Sequence, residues 1–213
     1  TPNKGGGISL KMTGELLLKD LIIRDNHADI GGGVYIEGQG SESFVQTIIT
    51  FENVVIYNNH ADDYGGGVAL GGALISAIMK HVTVLNNNAM NVGGGISAGS
   101  ISDYAVIVNS IFWNNQPSNI NGMVFPYFSN IDVPVGTNNI NIDPQFLNNS
   151  ESFILDENSP CIDAGTDFLA IDLTGYMLPG IVPDTIINLN DQDYYGLAPD
   201  MGAIETQFFL NLE

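Results

Sequence analysis

The sequence predicts an all-β fold: a right-handed parallel β-helix with a loop-rich C-terminal cap. Three observations carry the prediction. A polar pair recurs at Asp25-Asn26, Asn58-Asn59, Asn86-Asn87 and Asn114-Asn115, at intervals of 33, 28 and 28 residues. The first three pairs are each followed by a small residue (Ala28, Ala61, Ala89) and then by a glycine triplet. On both sides of these marks apolar residues alternate with period two, which is the spacing of strands. A unit of this length cannot bury its own apolar face, whereas stacked units can.

The repeat divides into short elements, taken here in chain order. A half-copy, GGGISL, opens the chain at Gly5 to Leu10, and leads to the expectation that further coils precede it. The first strand of each coil puts Leu21/Ile23, Val54/Ile56, Val82/Val84 and Ser110/Phe112 inward. The second puts Val34/Ile36, Val68/Leu70 and Ile96/Ala98 inward. A third apolar stretch completes each coil, at Phe44 to Phe51, Leu74 to Met79 and Tyr104 to Val108. At the corner, Asn26, Asn59, Asn87 and Asn115 are expected to stack as a ladder, since Asn both tolerates turns and offers a donor and an acceptor. The glycine triplets are expected to permit positive φ at tight corners. Residues 1–115 thus form about four coils, and residues 116–213 the final coil and a capping region with an insertion at 167–197.

Composition narrows the function. The chain has 213 residues, 44% apolar and only 14% charged, with 25 glycines. Five Lys and Arg stand against 24 Asp and Glu, a formal net charge of −19. Such a surface repels nucleic acid and anionic lipid, and suits calcium or neutral and cationic partners. The single cysteine, Cys161, excludes an internal disulfide and any cysteine-pair metal motif. No apolar run approaches the roughly 20 residues of a membrane span, and the first residues do not read as a signal peptide.

From Asn138 a second pattern begins. Asn139, Ile140, Asp143, Pro144 and Phe146 fit N-I-x-x-D-P-x-F. Phe153, Leu155, Ser159, Pro160, Ile162, Asp163, Ala164 and Gly165 fit F-x-L-x-x-x-S-P-x-I-D-A-G. Asp200, Gly202, Ala203 and Glu205 fit D-x-G-A-x-E. In these motifs the chain resembles bacterial β-helix surface proteins often called choice-of-anchor proteins. Its GGG-[VI] steps and Phe112 to Asn115 look like the polymorphic outer-membrane-protein repeats. The resemblance implies a pectate-lyase-like β-helix, secretion, and a place in a larger surface protein served by secretion or anchoring machinery. It departs from the pattern in the insertion from about Asp167 to Leu197 and in lacking the Arg that often precedes the final motif. The anchoring domain that commonly follows that motif is expected beyond Glu213.

Candidate chemistry is sparse. Gly95-Ile96-Ser97-Ala98-Gly99 spells G-x-S-x-G, but a nucleophile elbow needs a strand-turn-helix, and the repeat makes Ser97 an outward strand residue. Asp62-Asp63 is the one adjacent acidic pair in the repeats; the alternative function is a polysaccharide lyase or glycoside hydrolase whose active site is expected either there or in the coils expected to precede this chain. The aligned His27 and His60 could bind a metal, yet with Asn88 next in line and no carboxylate fixed beside them they are expected to be stacked corner residues. No cofactor is required. Calcium is the ion the oxygen-rich C-terminal half suits, through Asp167, Asp172, Asp184, Asp191, Asp193 and Asp200, with Asp191 and Asp193 the best pair. Finally, Arg24, Tyr57, Leu85 and Trp113 share one outward position in successive coils. The core does not need such a stripe. It is expected either to be covered by the C-terminal segment or an adjoining domain, or to serve as a sugar-stacking or partner surface.

Overall fold

A computed structural model describes residues 2–39, 46–100, 102–132, 136–147, 153–171 and 185–206. The chain is all-β, with almost no helix and three parallel sheets. One sheet stacks β1 (Ile8–Met12), β5 (Val34–Gln39), β8 (Val68–Ala73), β11 (Ile96–Ala98) and β14 (Ile120–Gly122). A second stacks β2 (Gly14–Lys19), β6 (Thr47–Tyr57), β9 (Ile75–Leu85), β12 (Tyr104–Val108) and β15 (Val124–Tyr127). Within it β3 (Ile22–Arg24) lies beside β6, and β13 (Ile111–Trp113) beside β9. The third is small: β4 (His27–Ala28), β7 (His60–Ala61) and β10 (Asn88–Ala89). The chain visits these sheets in a fixed rotation, and each strand pairs with its own counterpart in the neighbouring copies.

Register follows from the apolar alternation. Ile8, Val34, Val68, Ile96 and Ile120 are successive partners in the first sheet. In the second, Ile23, Ile56, Val84 and Phe112 are partners, as are Leu16, Ile49, Ala77, Ala105 and Val124. All of these belong to, or pack against, one apolar cluster. A register slip of one residue would turn the whole set outward, and each buried Val, Leu or Ile is worth roughly 1.5–3 kcal/mol. The inward positions expected from the sequence therefore match this core, with one exception. Ser110 is buried but caps rather than fills: its Oγ donates to Val108 O at 2.8 Å and accepts from Val82 N at 3.0 Å.

Two sequence expectations need amending. The third apolar stretch is a separate strand at Tyr104–Val108, as expected, but not in the two copies before it (residues 40–45, with Phe44, lie outside the described residues). In those two copies it runs straight into the next first strand, giving strands of 11 residues in β6 and β9. The bend within them is carried by one left-handed residue, Asn53 (φ 54°) or His81 (φ 51°). Positive φ is also confined to the first glycine of a triplet, Gly65 in the second copy (φ 69°). The next two are needed for close approach. A Cβ on Gly66 would press on Asn88 O and lie 2.6 Å from Gly94 O, and one on Gly67 would lie 2.5 Å from Gly95 O.

Much of the outward face of the second sheet is covered, although Leu17 and Ile22 at its edge are exposed. Ile48, Ile78, Tyr104 and Val106 are covered by Ile186 and Ile187 of an antiparallel pair, β16 (Phe168–Ala170) and β17 (Thr185–Asn188). Further along, Ile111 packs against Leu155, Cys161 and Met201, and Val55 and Tyr57 against Phe153. The described parts of the expected insertion are thus a cover for this sheet. Carboxylates fasten the cover by accepting from backbone amides. Buried Asp200 accepts from Asp163 N at 2.9 Å and Thr206 N at 2.8 Å. Asp163 accepts from Leu197 N at 2.8 Å, and Glu205 from Asp200 N and Tyr195 N, both at 3.1 Å. No helix among the described residues is long and apolar enough to cross a membrane.

Candidate functional site

The four residues of the outward column are in register: Arg24 with Tyr57, Tyr57 with Leu85, and Leu85 with Trp113. Parallel pairing without offset makes them a continuous stripe, rising by one strand spacing of about 4.8 Å per copy. Part of the stripe is sealed. Tyr57 is buried against Phe153, ring centroids 4.8 Å apart and tilted by 58°, and Phe153 meets Phe146 edge-on at 6.3 Å. Arg24 stays at the edge, where its Nη1 donates to Tyr57 Oη at 2.8 Å and its guanidinium lies 5.7 Å from the ring centre.

Between the stripe and the cover a cleft of about 480 Å³ remains. Tyr57, Leu85 and Trp113 form its floor. One bank is a row of exposed amides, Asn58, Asn86 and Asn114. These are the first residues of the polar pairs, and they take the left-handed turn, at φ 54°, 55° and 55°. That backbone turn aims their side chains outward while the second residue of each pair points in. The opposite bank is Asp143 to Phe146, from the first C-terminal motif. It is shaped by an Asx turn, in which Asp143 Oδ1 accepts from Gln145 N at 2.9 Å. Among the described lining residues Asp143 is the sole carboxylate. Aromatic faces beside fixed amides can hold a flat polar ring through stacking and hydrogen bonds. Two carboxylates flanking a glycosidic bond, as acid–base hydrolysis requires, are not assembled by those residues.

The inner residues of the polar pairs form the expected ladder. Asn26 Nδ2 donates to Asn59 Oδ1 at 3.0 Å, Asn59 to Asn87 at 2.9 Å, and Asn87 to Asn115 at 3.0 Å. Each Oδ1 also accepts a backbone amide from the preceding rung, and the second N–H of Asn87 goes to Ile56 O at 2.9 Å. The ladder extends one rung further than the spacing suggests, because Asn115 donates to buried Asn119 at 2.7 Å. The shortened interval hides Asn119 from a search at 28 residues.

The remaining candidates are scattered. Ser97, in register with Ala69, is buried and accepts from Asn121 Nδ2 at 3.1 Å. Asp63 Oδ1 accepts from Asn91 Nδ2 at 2.8 Å, whereas Asp62 turns to the two histidines. This corrects the expectation that no carboxylate lies beside His27 and His60: Asp62 Oδ1 is 2.9 Å from Nε2 of His27 and 3.2 Å from that of His60. The second copy has one more residue than the first between the polar pair and the glycines. The hydrogen bond from His27, more than burial opposes it, holds the Asp62 carboxyl below its usual range. Asp193 accepts from Asn190 N at 2.8 Å in a local turn, and Asp191 lies 3.5 Å from Tyr194 Oη. Neither joins a cluster of three metal-ligating groups among the described residues. Asp172 and Asp184 lie outside those residues, and Asp200 is committed to backbone amides. The chain matches no family model, no curated protein and no solved structure.

Proposed function

We propose that the three parallel sheets wind as a right-handed parallel β-helix. The chain then serves as a non-catalytic structural or adhesive module of a larger secreted or cell-surface bacterial protein. The cleft over Tyr57, Leu85 and Trp113 is its binding groove for a neutral glycan. The rotation of the chain through three sheets and the unbroken Asn ladder support the helix. The single observation that carries the binding role is the cleft itself, an aromatic and aliphatic floor beside a row of amides. The net charge of −19 favours a neutral over an acidic glycan.

Trp113 is the only tryptophan, so its fluorescence reports on the cleft directly. Titration with neutral oligosaccharides is expected to give a saturable change, and Trp113→Ala, followed by calorimetry, to weaken binding roughly tenfold, the worth of one stacking contact. No saturable response from any neutral glycan, or a Trp113→Ala chain that binds as tightly as the parent, would remove the binding role. Shortening of the polymer during incubation would instead return the lyase or hydrolase alternative.

A further inference from the structure

We propose that His27, His60 and Asp62 form a site for one divalent transition-metal ion of the zinc class, fastening β4 to β7. The geometry begins with the register. His27 and His60 are direct partners across parallel strands, so their rings project to the same side, with centroids 5.0 Å apart and tilted by 50°. Asp62, two residues beyond His60, places one carboxylate oxygen between the two Nε2 atoms. All three donor atoms lie within 4.8 Å of one another. Around a tetrahedral ion with Zn–N near 2.0–2.1 Å, neighbouring donors are about 3.3 Å apart. The two carboxylate-to-imidazole separations, 2.9 and 3.2 Å, are already close to that spacing.

The donor set selects the ion. Two imidazoles and one carboxylate suit zinc and its neighbours, whereas calcium and magnesium ask for oxygen throughout. Three protein ligands leave a fourth position for water. The side chains are partly exposed, so an ion can reach them, and the acidic chain draws cations. Binding would replace the imidazole N–H that each ring turns toward Asp62 with a bond from the nitrogen lone pair. The next position in the column is Asn88, so the set occurs once. The site does not depend on the glycan cleft, and either can fail alone.

The test is calorimetric titration of the tag-free chain with zinc chloride, calcium chloride serving as the control. One zinc per chain is expected, with no comparable calcium heat, and cobalt(II) should give the visible absorption of a tetrahedral complex. Asn already occupies the equivalent place at residue 88, so His60→Asn is compatible with the strand. His60→Asn and His27→Asn should each weaken zinc roughly tenfold to a hundredfold. Zinc should also raise the melting temperature of the parent chain and leave that of His60→Asn unchanged. Absence of a one-to-one isotherm, or parent-like affinity in both variants, overturns the site and leaves the trio as a hydrogen-bonded corner. Should His60→Asn fold poorly, the exposed His27→Asn decides.

Discussion

The repeats and their C-terminal cover bury polar groups in opposite ways. In the repeats a polar side chain is answered by the same residue one strand away: Asn59 by Asn87, and Asn87 by Asn115. In the cover it is answered by something unlike itself, as Asp200 is by the backbone amides of Asp163 and Thr206. The ladder is therefore cooperative along the stack. Each amide fixes the next, and removing one orphans groups on both sides. The cover is a set of separate clasps, each closing one loop over an apolar face. Loss of a rung should threaten the whole fold, and loss of a clasp only what it shields.

The largest effect should come from the ladder. Asn87→Ala removes the acceptor for Asn59 Nδ2 and N, and the donor to Asn115 and Ile56 O, all in the buried interior. Buried groups left unpaired cost about 1–3 kcal/mol each, so a loss of about 3 kcal/mol or more is expected in urea unfolding. The neighbouring Asn86→Gly removes an exposed amide from a left-handed position that glycine occupies freely, and should change stability by less than about 1 kcal/mol. Equal costs for the two would mean that the inner row is not what holds the stack.

This contrast also explains what could be read from the sequence. Val34, Val68 and Ile96 announce themselves because each is repeated at the position it touches. The same holds for Asn59 and Asn87. The column from Arg24 to Trp113 was legible as a stripe, and its covering was one of two expectations, but its partners were not. Phe153, at φ 52°, reaches Tyr57 from nearly a hundred residues away in the chain, and no period links them. Ile186 and Ile187 sit in the insertion, where no repeat marks them. Asp62 escaped for a smaller reason: the first copy has no residue at its place and the third has Met90, so no acidic column marks it, while space gives it His27. Symmetry is what a sequence displays, and these contacts are the asymmetric ones.

A clasp gives the second effect. Asp200→Asn keeps one carbonyl acceptor but sets an NH₂ against a backbone N–H, at a cost of about 2 kcal/mol. Cys161 reports on it. Its thiol is fully buried, and burial pushes it up to about 11, so the closed chain should resist alkylation. Asp200→Asn should speed alkylation under native conditions while the far-ultraviolet β signal stays unchanged. Were labelling to rise only in step with global unfolding, cover and repeats would be one cooperative unit, and the distinction would fail.

The smallest effect lies where the two regions meet. His81 bends β9, and the wall of its cavity includes Gly202, Ala203 and Glu205 of the cover. Burial lowers His81 from its ordinary 6.5 to about 4, with Lys80 adding to the shift. Burial and then Asp200 raise Glu205 from 4.5 to about 7. The two pull stability in opposite directions. As pH falls from 6.5 toward 4 the unfolded chain protonates its histidine more readily than the fold does, so the His81 contribution is lost. Over 7 to 4.5 the folded carboxyl takes up its proton first, so the Glu205 contribution is gained. Between about pH 7 and about pH 5.5 each amounts to roughly 1 kcal/mol, the Glu205 share after discounting for solvent screening of a half-exposed carboxyl, and the parent chain should change little. His81→Asn is a substitution the backbone accepts, since Asn53 and Asn109 hold the same bend at φ 54° and 48°. Without the histidine the carboxyl acts alone, and stability should rise by roughly 1 kcal/mol over that interval. An unchanged pH profile in His81→Asn would show that the bend residue carries no part of the balance.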